Sequence, residues 1–130
     1  MGVYCSLFSK LHRREGASCR AAPYIVSSAE AFRPRVGGSA AALALAYAAL
    51  GGSASFLGQL GEDAFGHRIA DALADAGVDT RRLCFTSCAP TPLLFRGGGG
   101  TLPCRTRSAD LLYSAGQLGE GWAADAGALA

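Results

Sequence analysis

The sequence predicts an α/β layered domain, and three of its features support that class. Helical and strand-like segments alternate from residue 39 onwards, in the order helix, strand, helix, strand. The stretch 62–77 has the apolar spacing of an amphipathic helix. At 130 residues the chain is about one domain long. It nevertheless has fewer strand-like segments than a complete layered domain of this class.

The first 23 residues are predicted to be a basic, loosely ordered arm, because they show no sustained apolar period. Residues 1–36 hold six basic side chains against two acidic ones, whereas the whole chain has a formal net charge of only +2. A basic head on a near-neutral body favours a targeting or tethering segment over a nucleic-acid groove. No nucleic-acid partner is therefore expected.

The predicted domain runs from residue 24 to residue 118, between the arm at 1–23 and a tail at 119–130 that is rich in glycine and alanine. A short strand is predicted at 24–28, which reads YIVSS. Pro34 disfavours helical backbone at the residue before it, so the segment leading up to residue 38 is predicted to be a loop.

The segment from about Ser39 to Leu50 is predicted to be a helix, with Ser39 as its N-cap and Gly51–Gly52 as its stop. It carries no charged side chain, and a helix that is apolar all round is expected to be buried by its neighbours. Its apolar run of about a dozen residues is well short of the roughly 20 that a membrane span needs. A membrane is therefore not expected as a partner.

A buried strand is predicted over 53–61, followed by the clearest helix of the chain. The apolar face of this helix has spacings of four and three, and consists of Phe65, Ile69, Leu73 and Ala76. Glu62 and Asp63 precede the helix, where the positive end of the helix dipole favours carboxylates. Gly77 is placed where a residue with left-handed backbone ends a helix.

Beyond residue 80, short strands are predicted at 81–87 and 91–96, with a flexible turn at Gly97–Gly100 and a helical turn at 108–118. The only lysine is Lys10 and the glycine run is not followed by Lys-Ser/Thr, so a Walker-type phosphate loop is excluded. The dinucleotide fingerprint G-x-G-x-x-G is absent after the strand at 53–61.

The five cysteines are an odd number without a repeated C-x-x-C spacing, and neither histidine is at zinc-ligand spacing from a cysteine pair. Reduced, structural thiols in a reducing compartment are expected rather than a metal site or a disulfide framework. His67 is placed on the polar face of the helix after residue 62. It is interpreted as a solvated histidine, which leaves a Ser-His-Asp arrangement unsupported.

The first six residues, MGVYCS, match the pattern for N-myristoylation at Gly2 after removal of the initiator methionine. Cys5 is a candidate second acylation site, and the basic residues that follow could meet anionic headgroups. An organellar presequence explains the same basic, acid-poor composition. A lipid anchor, an organellar presequence and the absence of either signal therefore remain alternatives.

From Gly37 to Thr80 the sequence reads GGSAAALALAYAALGGSASFLGQLGEDAFGHRIADALADAGVDT. A double glycine precedes an alanine-rich helix ending in leucine and glycine, and a strand, a G-x-D-x-F-G loop, an amphipathic helix and GVD follow. This order resembles the N-terminal portion of the pfkB-type carbohydrate kinases, the ribokinase and fructokinase family, and is most like the fructokinase branch. A looser match runs over 27–118.

The resemblance implies an incomplete ribokinase-like (Rossmann-like) three-layer fold, in which the N-terminal part of a mainly parallel sheet has flanking helices and a degenerate lid. It also implies an ATP-dependent kinase that phosphorylates a sugar hydroxyl with the help of Mg²⁺. Gly37 and Gly38 would then bind the sugar, since glycine lets backbone N–H groups come close and a helix N-terminus offers unpaired donors. The residues alone leave a second interpretation open, in which the two glycines only turn the chain into a buried helix.

The sequence departs from the family pattern in several places. Ala42 stands where the family has a sugar-binding asparagine, and an alanine side chain offers neither donor nor acceptor. No aspartate-bearing strand occurs in 1–36, and no GAGD stretch, which in the family supplies an anion hole and the base, occurs anywhere in the chain. GGGGTLPC (97–104) replaces a recognisable lid hairpin, and Arg105 matches a lid arginine only loosely.

These features predict a truncated or diverged fructokinase-like chain, a pseudoenzyme by its own residues, with no catalytic, cofactor-binding or metal-binding residue assigned. ATP and Mg²⁺ are implied by the family without sites in this chain, and a fructose-like sugar is expected to bind weakly if at all. The alternative is a non-enzymatic interaction module that offers an exposed sheet edge to a protein partner. A cytoplasmic location is expected, with a plastid, another organelle or an N-terminal lipid anchor as alternatives.

Overall fold

The computed structural model describes residues 3–4, 30–97 and 100–118. Strands and α-helices follow one another in the order β1 (Val3–Tyr4), β2 (Val36–Gly37), α1 (Ser39–Ala49), β3 (Gly58–Gly61), α2 (Ala64–Asp75), β4 (Leu83–Thr86), β5 (Leu93–Gly97) and β6 (Gly100–Cys104). Short 3₁₀ turns at Ala109–Leu111 and Ala115–Leu118 fulfil the prediction of a helical turn in this region. The strand predicted at 24–28 lies outside the described residues.

The strands form parallel pairs early in the chain and an antiparallel pair late in it. β1 pairs with β2 and β3 with β4, both in parallel, whereas β5 and β6 are antiparallel. A parallel connection requires a crossover, and α2 supplies it between β3 and β4. This arrangement of parallel strands and helices is that of an incomplete α/β fold, as predicted.

Two predictions about strands need correction. The predicted strand over 53–61 is regular only in its last four residues, because the earlier part meets the chain after α2 in a single bridge between Ser55 and Asp79. The prediction that 97–104 no longer forms a recognisable hairpin is also wrong, since β6 pairs with β5 along its whole length. Pro103 is accommodated within β6, which is consistent with proline's restriction to strands with an unpaired edge.

α1 begins at Ser39, as predicted, but Ser39 is not its N-cap. Gly38 is the N-cap, with φ 99° and ψ 145°, and among the described residues no side chain caps the helix. Ser39 was predicted for that role, but the positive φ of Gly38 already turns the chain from β2 into the helix. The predicted stop is confirmed, because Gly51 has φ 83° and its N–H donates to the Ala48 carbonyl.

α1 is half exposed, whereas the sequence predicts a helix buried by its neighbours. Ala41 is buried, but the side chains of Leu43, Tyr47 and Leu50 are 55%, 54% and 87% exposed. The inner face of α1 packs on the core, and the described part of the chain covers only that face. The prediction fails because a lack of polar residues indicates that a helix is suited to burial on all sides, but does not say which element covers each side.

α2 follows the sequence prediction more closely. Ile69 and Leu73 are buried, whereas Phe65 and Ala76, the other two members of the predicted apolar face, are exposed. These two lie at opposite ends of the helix, beyond the core that its middle contacts. Gly77 has φ 81° and ends the helix as predicted.

The core lies between the two helices and β3. It consists of Ala41, Phe56, Leu60, Ile69, Leu73 and Val78. Gln59 neighbours Leu60 in β3 and therefore points to the opposite face of the strand. There its Oε1 accepts a hydrogen bond of 2.8 Å from Gln117 Nε2 in the last 3₁₀ turn. β3 is thus covered on both faces, by helices on one and by the segment 109–118 on the other.

Candidate functional site

The predicted substrate-binding glycines lie where a strand passes directly into a helix. Gly37 is the last residue of β2, and Gly38 is the N-cap of α1. Both are partly exposed. The first N–H groups of a helix have no partner within the helix, and here the capping residue has no side chain to accept from them. The turn thus joins β2 to α1 through two glycines, and sugar binding at Gly37 and Gly38 stays a prediction.

Ala42 lies one turn into α1, and its methyl group is exposed. The Ala42 N–H donates to the Gly38 carbonyl at 2.9 Å, which makes this residue the first to close a regular helical turn. The side chain contributes no hydrogen bond, so any recognition of a hydroxyl at this turn falls to the backbone alone.

Asp63 organises the G-x-D-x-F-G loop. Its Oδ1 accepts hydrogen bonds from the backbone N–H groups of Phe65 (3.0 Å) and Gly66 (2.8 Å), which caps α2. Its Oδ2 accepts from the Thr91 N–H at 2.8 Å. The Thr91 hydroxyl in turn accepts from the Gly61 N–H at 3.0 Å. We call these residues, Gly61, Asp63, Gly66 and Thr91, the Asp63 latch.

The two glycines of the latch are required by close packing. A Cβ atom on Gly66 would lie 2.1 Å from the carbonyl oxygen of Gly61. A Cβ atom on Gly61 would lie 2.5 Å from both Asp63 Oδ2 and the Thr91 nitrogen. Neither Gly61 nor Gly66 has a positive φ, so glycine is required at these positions for steric rather than conformational reasons. The glycine spacing that carries the family resemblance thus builds the loop before α2.

The latch shifts the pKa of Asp63. Burial raises the pKa of this carboxyl, but the hydrogen bonds from Thr91, Gly66 and Phe65 together outweigh burial and hold the pKa below its ordinary value. The carboxylate is therefore the form that the fold stabilises. Asp63 is a structural carboxylate, because the contacts described for both of its oxygens are internal.

Thr91 was not singled out by the sequence analysis, and its role can be tested. Replacing Thr91 by valine keeps the shape of the side chain but removes the acceptor for the buried Gly61 N–H. We expect the free energy of unfolding to fall by about 1–2 kcal/mol, the cost of an unsatisfied buried donor. Urea unfolding of Thr91→Val and Thr91→Ser measures the loss. A serine variant as unstable as the valine variant would contradict the role of the hydroxyl.

Arg105, the loose match to a lid arginine, forms an ion pair with Asp110. The Asp110 side chain is 1% exposed and that of Arg105 is 31% exposed. Ser108 Oγ lies within hydrogen-bonding distance of the Asp110 carboxylate and of the Arg105 carbonyl. The guanidinium is thus held near the surface by a buried carboxylate. Ser108 and Asp110 fall within the looser family match, but the sequence analysis did not single them out, because a buried polar residue has no characteristic spacing.

His67 lies on the surface, as predicted, and its ring stacks on Phe85 with a centroid distance of 4.8 Å. Its Nε2 is 2.7 Å from Glu62 Oε1. Gly2 and Cys5, the candidate lipidation sites, lie outside the described residues. Within residues 3–4, 30–97 and 100–118, His, Cys, Asp and Glu side chains form no group of three that could hold a metal ion. No helix of this part of the chain is long and apolar enough to cross a membrane.

Comparison with known sequences identifies the family. A profile for the pfkB family carbohydrate kinases matches residues 10–100. Fructokinase-1 from Zea mays is 41% identical over 98 residues, which are 72% of this chain and 30% of the relative. Probable fructokinase-6, chloroplastic, from Arabidopsis thaliana is 36% identical, again over 72% of this chain, and 26% of that relative is covered. The chain therefore spans less than a third of the length of these curated relatives.

Solved structures give the same answer for the fold. A fructokinase from Xylella fastidiosa is 37% identical with a TM-score of 0.64, covering 68% of this chain and 29% of the other. A second structure, of the fructokinase from Xylella fastidiosa with bound ATP, is 40% identical with a TM-score of 0.59, covering 62% of this chain and 26% of that one. The described strands and helices thus correspond to part of a ribokinase-like kinase. By sequence and by fold, the chain belongs to the pfkB family of carbohydrate kinases.

Proposed function

We propose that this chain forms the sugar-binding side of a fructokinase-type reaction, the ATP-dependent phosphorylation of a sugar hydroxyl, and that the chain alone does not transfer the phosphoryl group. The observation that carries the first part is the turn at Gly37–Gly38. It presents backbone N–H groups at the end of β2, and the family membership makes a sugar the fitting ligand. The relatives named fructokinase support fructose as the substrate to test first.

The second part rests on what phosphoryl transfer needs. Transfer depends on positioning the nucleotide and the acceptor and on stabilising the charge of the transferred group. The sequence contains no GAGD stretch to supply the anion hole and base that the family resemblance implies. Mg²⁺ in kinase sites is usually held by one or two carboxylates together with the substrate phosphates, and among the described residues His, Cys, Asp and Glu side chains form no group of three that could hold a metal ion. No catalytic step is assigned to the described residues.

Two titrations and one assay test this proposal. Isothermal calorimetry of the purified chain with fructose is expected to show weak binding, and the same measurement with ATP is expected to show none. Coupled-enzyme detection of ADP is expected to show no turnover when both are present. Fructose-dependent ATP turnover above a matched blank would contradict the proposed incompetence, and a chain that binds no fructose would contradict the sugar-binding role.

Ala42 provides a gain-of-function prediction. Replacing it by asparagine restores the residue type that the family resemblance implies at this turn. The exposed position accepts the larger side chain without displacing core atoms. One added hydrogen-bonding amide is expected to lower the dissociation constant for fructose about tenfold, which corresponds to about 1.4 kcal/mol. Calorimetry of Ala42→Asn beside Ala42→Leu separates the amide from added bulk. Equal affinities for the two variants would contradict a sugar at this turn.

The alternative proposal is a non-enzymatic interaction module, either lipid-anchored at Gly2 and Cys5 or targeted to an organelle. The exposed apolar side of α1 favours an interaction role, because soluble proteins rarely leave such patches uncovered. A relative bearing the name chloroplastic makes a plastid a compartment to test. Intact mass of the cellular protein distinguishes the two, since acylation adds mass and cleavage of a presequence removes it. The division into arm, domain and tail stays a prediction.

A further inference from the structure

Basic residues gather where the segment before β2 meets β5. Phe32 and Phe95 form an edge-to-face pair with ring centroids 5.5 Å apart, which holds the two segments together. Arg33 directly follows the first of these residues, and Arg96 directly follows the second. Arg35 lies immediately before β2. All three arginines are exposed, and together with Phe32 we call them the Arg33 patch.

Charge is unevenly distributed between this patch and the second helix. Residues 30–37, 93–97 and 100–104 carry the three arginines against a single carboxylate, Glu30. Residues 62–75, which form α2 and the loop before it, carry four carboxylates against one arginine. An anionic surface is therefore attracted to one region and repelled by the other, which favours a single orientation of the protein on that surface.

Phe32 gives the patch an apolar component. It is 39% exposed although its ring contacts Phe95. An aromatic ring beside arginines suits a membrane interface, where the apolar group enters the headgroup region and the basic groups meet anionic lipids. A nucleic acid duplex also attracts arginines, but its phosphate backbone offers an apolar ring no comparable environment. Charge and apolar exposure together thus favour a membrane surface as the partner.

β1 lies beside the same patch. Val3 is the register partner of Val36, the residue after Arg35, and β1 also contacts β5. The first six residues match an N-myristoylation pattern with Gly2 as the acceptor. A single myristoyl chain gives only marginal membrane binding, and a basic surface is the second signal that makes the binding stable. The residue that follows the candidate acceptor is therefore held next to the segment that carries two of the three arginines.

We propose that the Arg33 patch docks on a membrane surface that contains anionic phospholipids. The arginines meet the anionic headgroups, and the Phe32 ring enters the interface between them. This inference goes beyond the proposed sugar binding and does not depend on it, since it uses neither the Gly37–Gly38 turn nor the ATP-dependent reaction. An acyl chain on Gly2 would strengthen the docking but is not required for it.

Vesicle sedimentation tests the patch by itself, with the full chain produced in bacteria so that it carries no acyl group. Vesicles with about one third phosphatidylserine are compared with vesicles of phosphatidylcholine alone, and each arginine at the anionic surface is expected to contribute about fivefold in affinity. Arg33→Gln combined with Arg35→Gln is therefore expected to weaken binding to the anionic vesicles about 25-fold. Arg68→Gln combined with Arg81→Gln removes the same charge from exposed positions elsewhere and serves as the control.

Binding to the anionic vesicles that the Arg33 and Arg35 variant loses and the control retains supports the docking. This binding is expected to weaken as the salt concentration rises from about 0.1 M to about 1 M, because the screening length falls from about 10 Å to about 3 Å. Equal sedimentation with both kinds of vesicle overturns the proposal, as does a native chain that binds neither or a variant that binds as the native chain does. A native chain that binds a DNA duplex more tightly than the anionic vesicles, in the same salt, overturns it in favour of a nucleic acid.

Discussion

Replacing Gly66 with alanine is expected to lower the free energy of unfolding by about 3 kcal/mol, the upper part of the range for an overpacked core. The added methyl would lie 2.1 Å from the Gly61 carbonyl oxygen and 2.9 Å from Thr91 Oγ1. The first obstacle is backbone, which cannot rotate away as a side chain can. The start of α2 must therefore move, and this movement lengthens the hydrogen bonds that Asp63 and Thr91 make across the loop.

Gly116→Ala is the matched control, because its added methyl would meet its nearest atom, Ser114 Oγ, at an ordinary 3.9 Å. Urea unfolding followed by circular dichroism measures both variants at the same pH. We expect Gly116→Ala to stay within about 0.5 kcal/mol of the native chain, as surface changes usually do. If Gly66→Ala proved as stable as Gly116→Ala, the steric reason for the glycine would be wrong.

The sequence predicts the second helix and its loop well, because their determinants are local. Asp63 precedes the helix at the position where a carboxylate can accept from its first N–H groups, and Gly77 follows at the position that needs a positive φ. Ile69 and Leu73 repeat at the helical interval and are buried. Each of these residues acts within a few positions along the chain, so pattern and geometry agree.

The sequence does not predict long-range partners. Thr91 is 28 residues from Asp63, whose Oδ2 accepts its N–H, and Gln117 is 58 residues from the Gln59 side chain to which it donates. Such contacts depend on how strands and turns stack, which no local period records. The exposure of one side of α1 could not be predicted either, because a uniformly apolar helix does not reveal which of its faces the rest of the chain covers.

The Gly37–Gly38 turn stands between these cases. Its conformation follows from glycine, since Gly38 has a φ of 99° that other residues rarely adopt. Its place at the start of α1 was predicted, whereas β2 was not, because the segment up to residue 38 was predicted to be a loop. Whether a sugar occupies the turn depends on groups that approach from elsewhere in the fold, and Ala42 supplies none. The turn could therefore be predicted from the sequence, whereas its ligand rests on family membership.

Replacing Asp63 with alanine is expected to cost about 3 kcal/mol at pH 7. Loss of an N-cap costs about 1 kcal/mol, and a hydrogen bond to a charged group contributes about 1.5–3 kcal/mol. Asp63 provides both, by capping α2 and by accepting from the Thr91 N–H. Asp63→Asn retains one side-chain oxygen that can accept from the N–H groups at the start of α2. It has no charge, however, and its NH₂ group cannot accept a hydrogen bond from the Thr91 N–H. We expect it to be intermediate in stability.

The pH dependence of this contribution has a definite sign. Because the pKa of Asp63 is lower in the folded chain than its ordinary value of 3.8, the stabilisation is fully present above that value. It is lost as the pH falls through the lower, folded pKa. The difference in unfolding free energy between the native chain and Asp63→Asn should therefore shrink on acidification from pH 5 towards pH 2.

In this difference, the contributions of the carboxylates that the two proteins share cancel. Asp79, for example, has its pKa lowered to about 2 by its hydrogen bonds and ion pair with Arg81, and it titrates in the same range in both chains. Urea unfolding of both proteins in steps of about one pH unit gives the curve. A stability difference that stays constant down to the acid limit would show that the charge of Asp63 does not stabilise the loop, and that its oxygens act only as neutral acceptors.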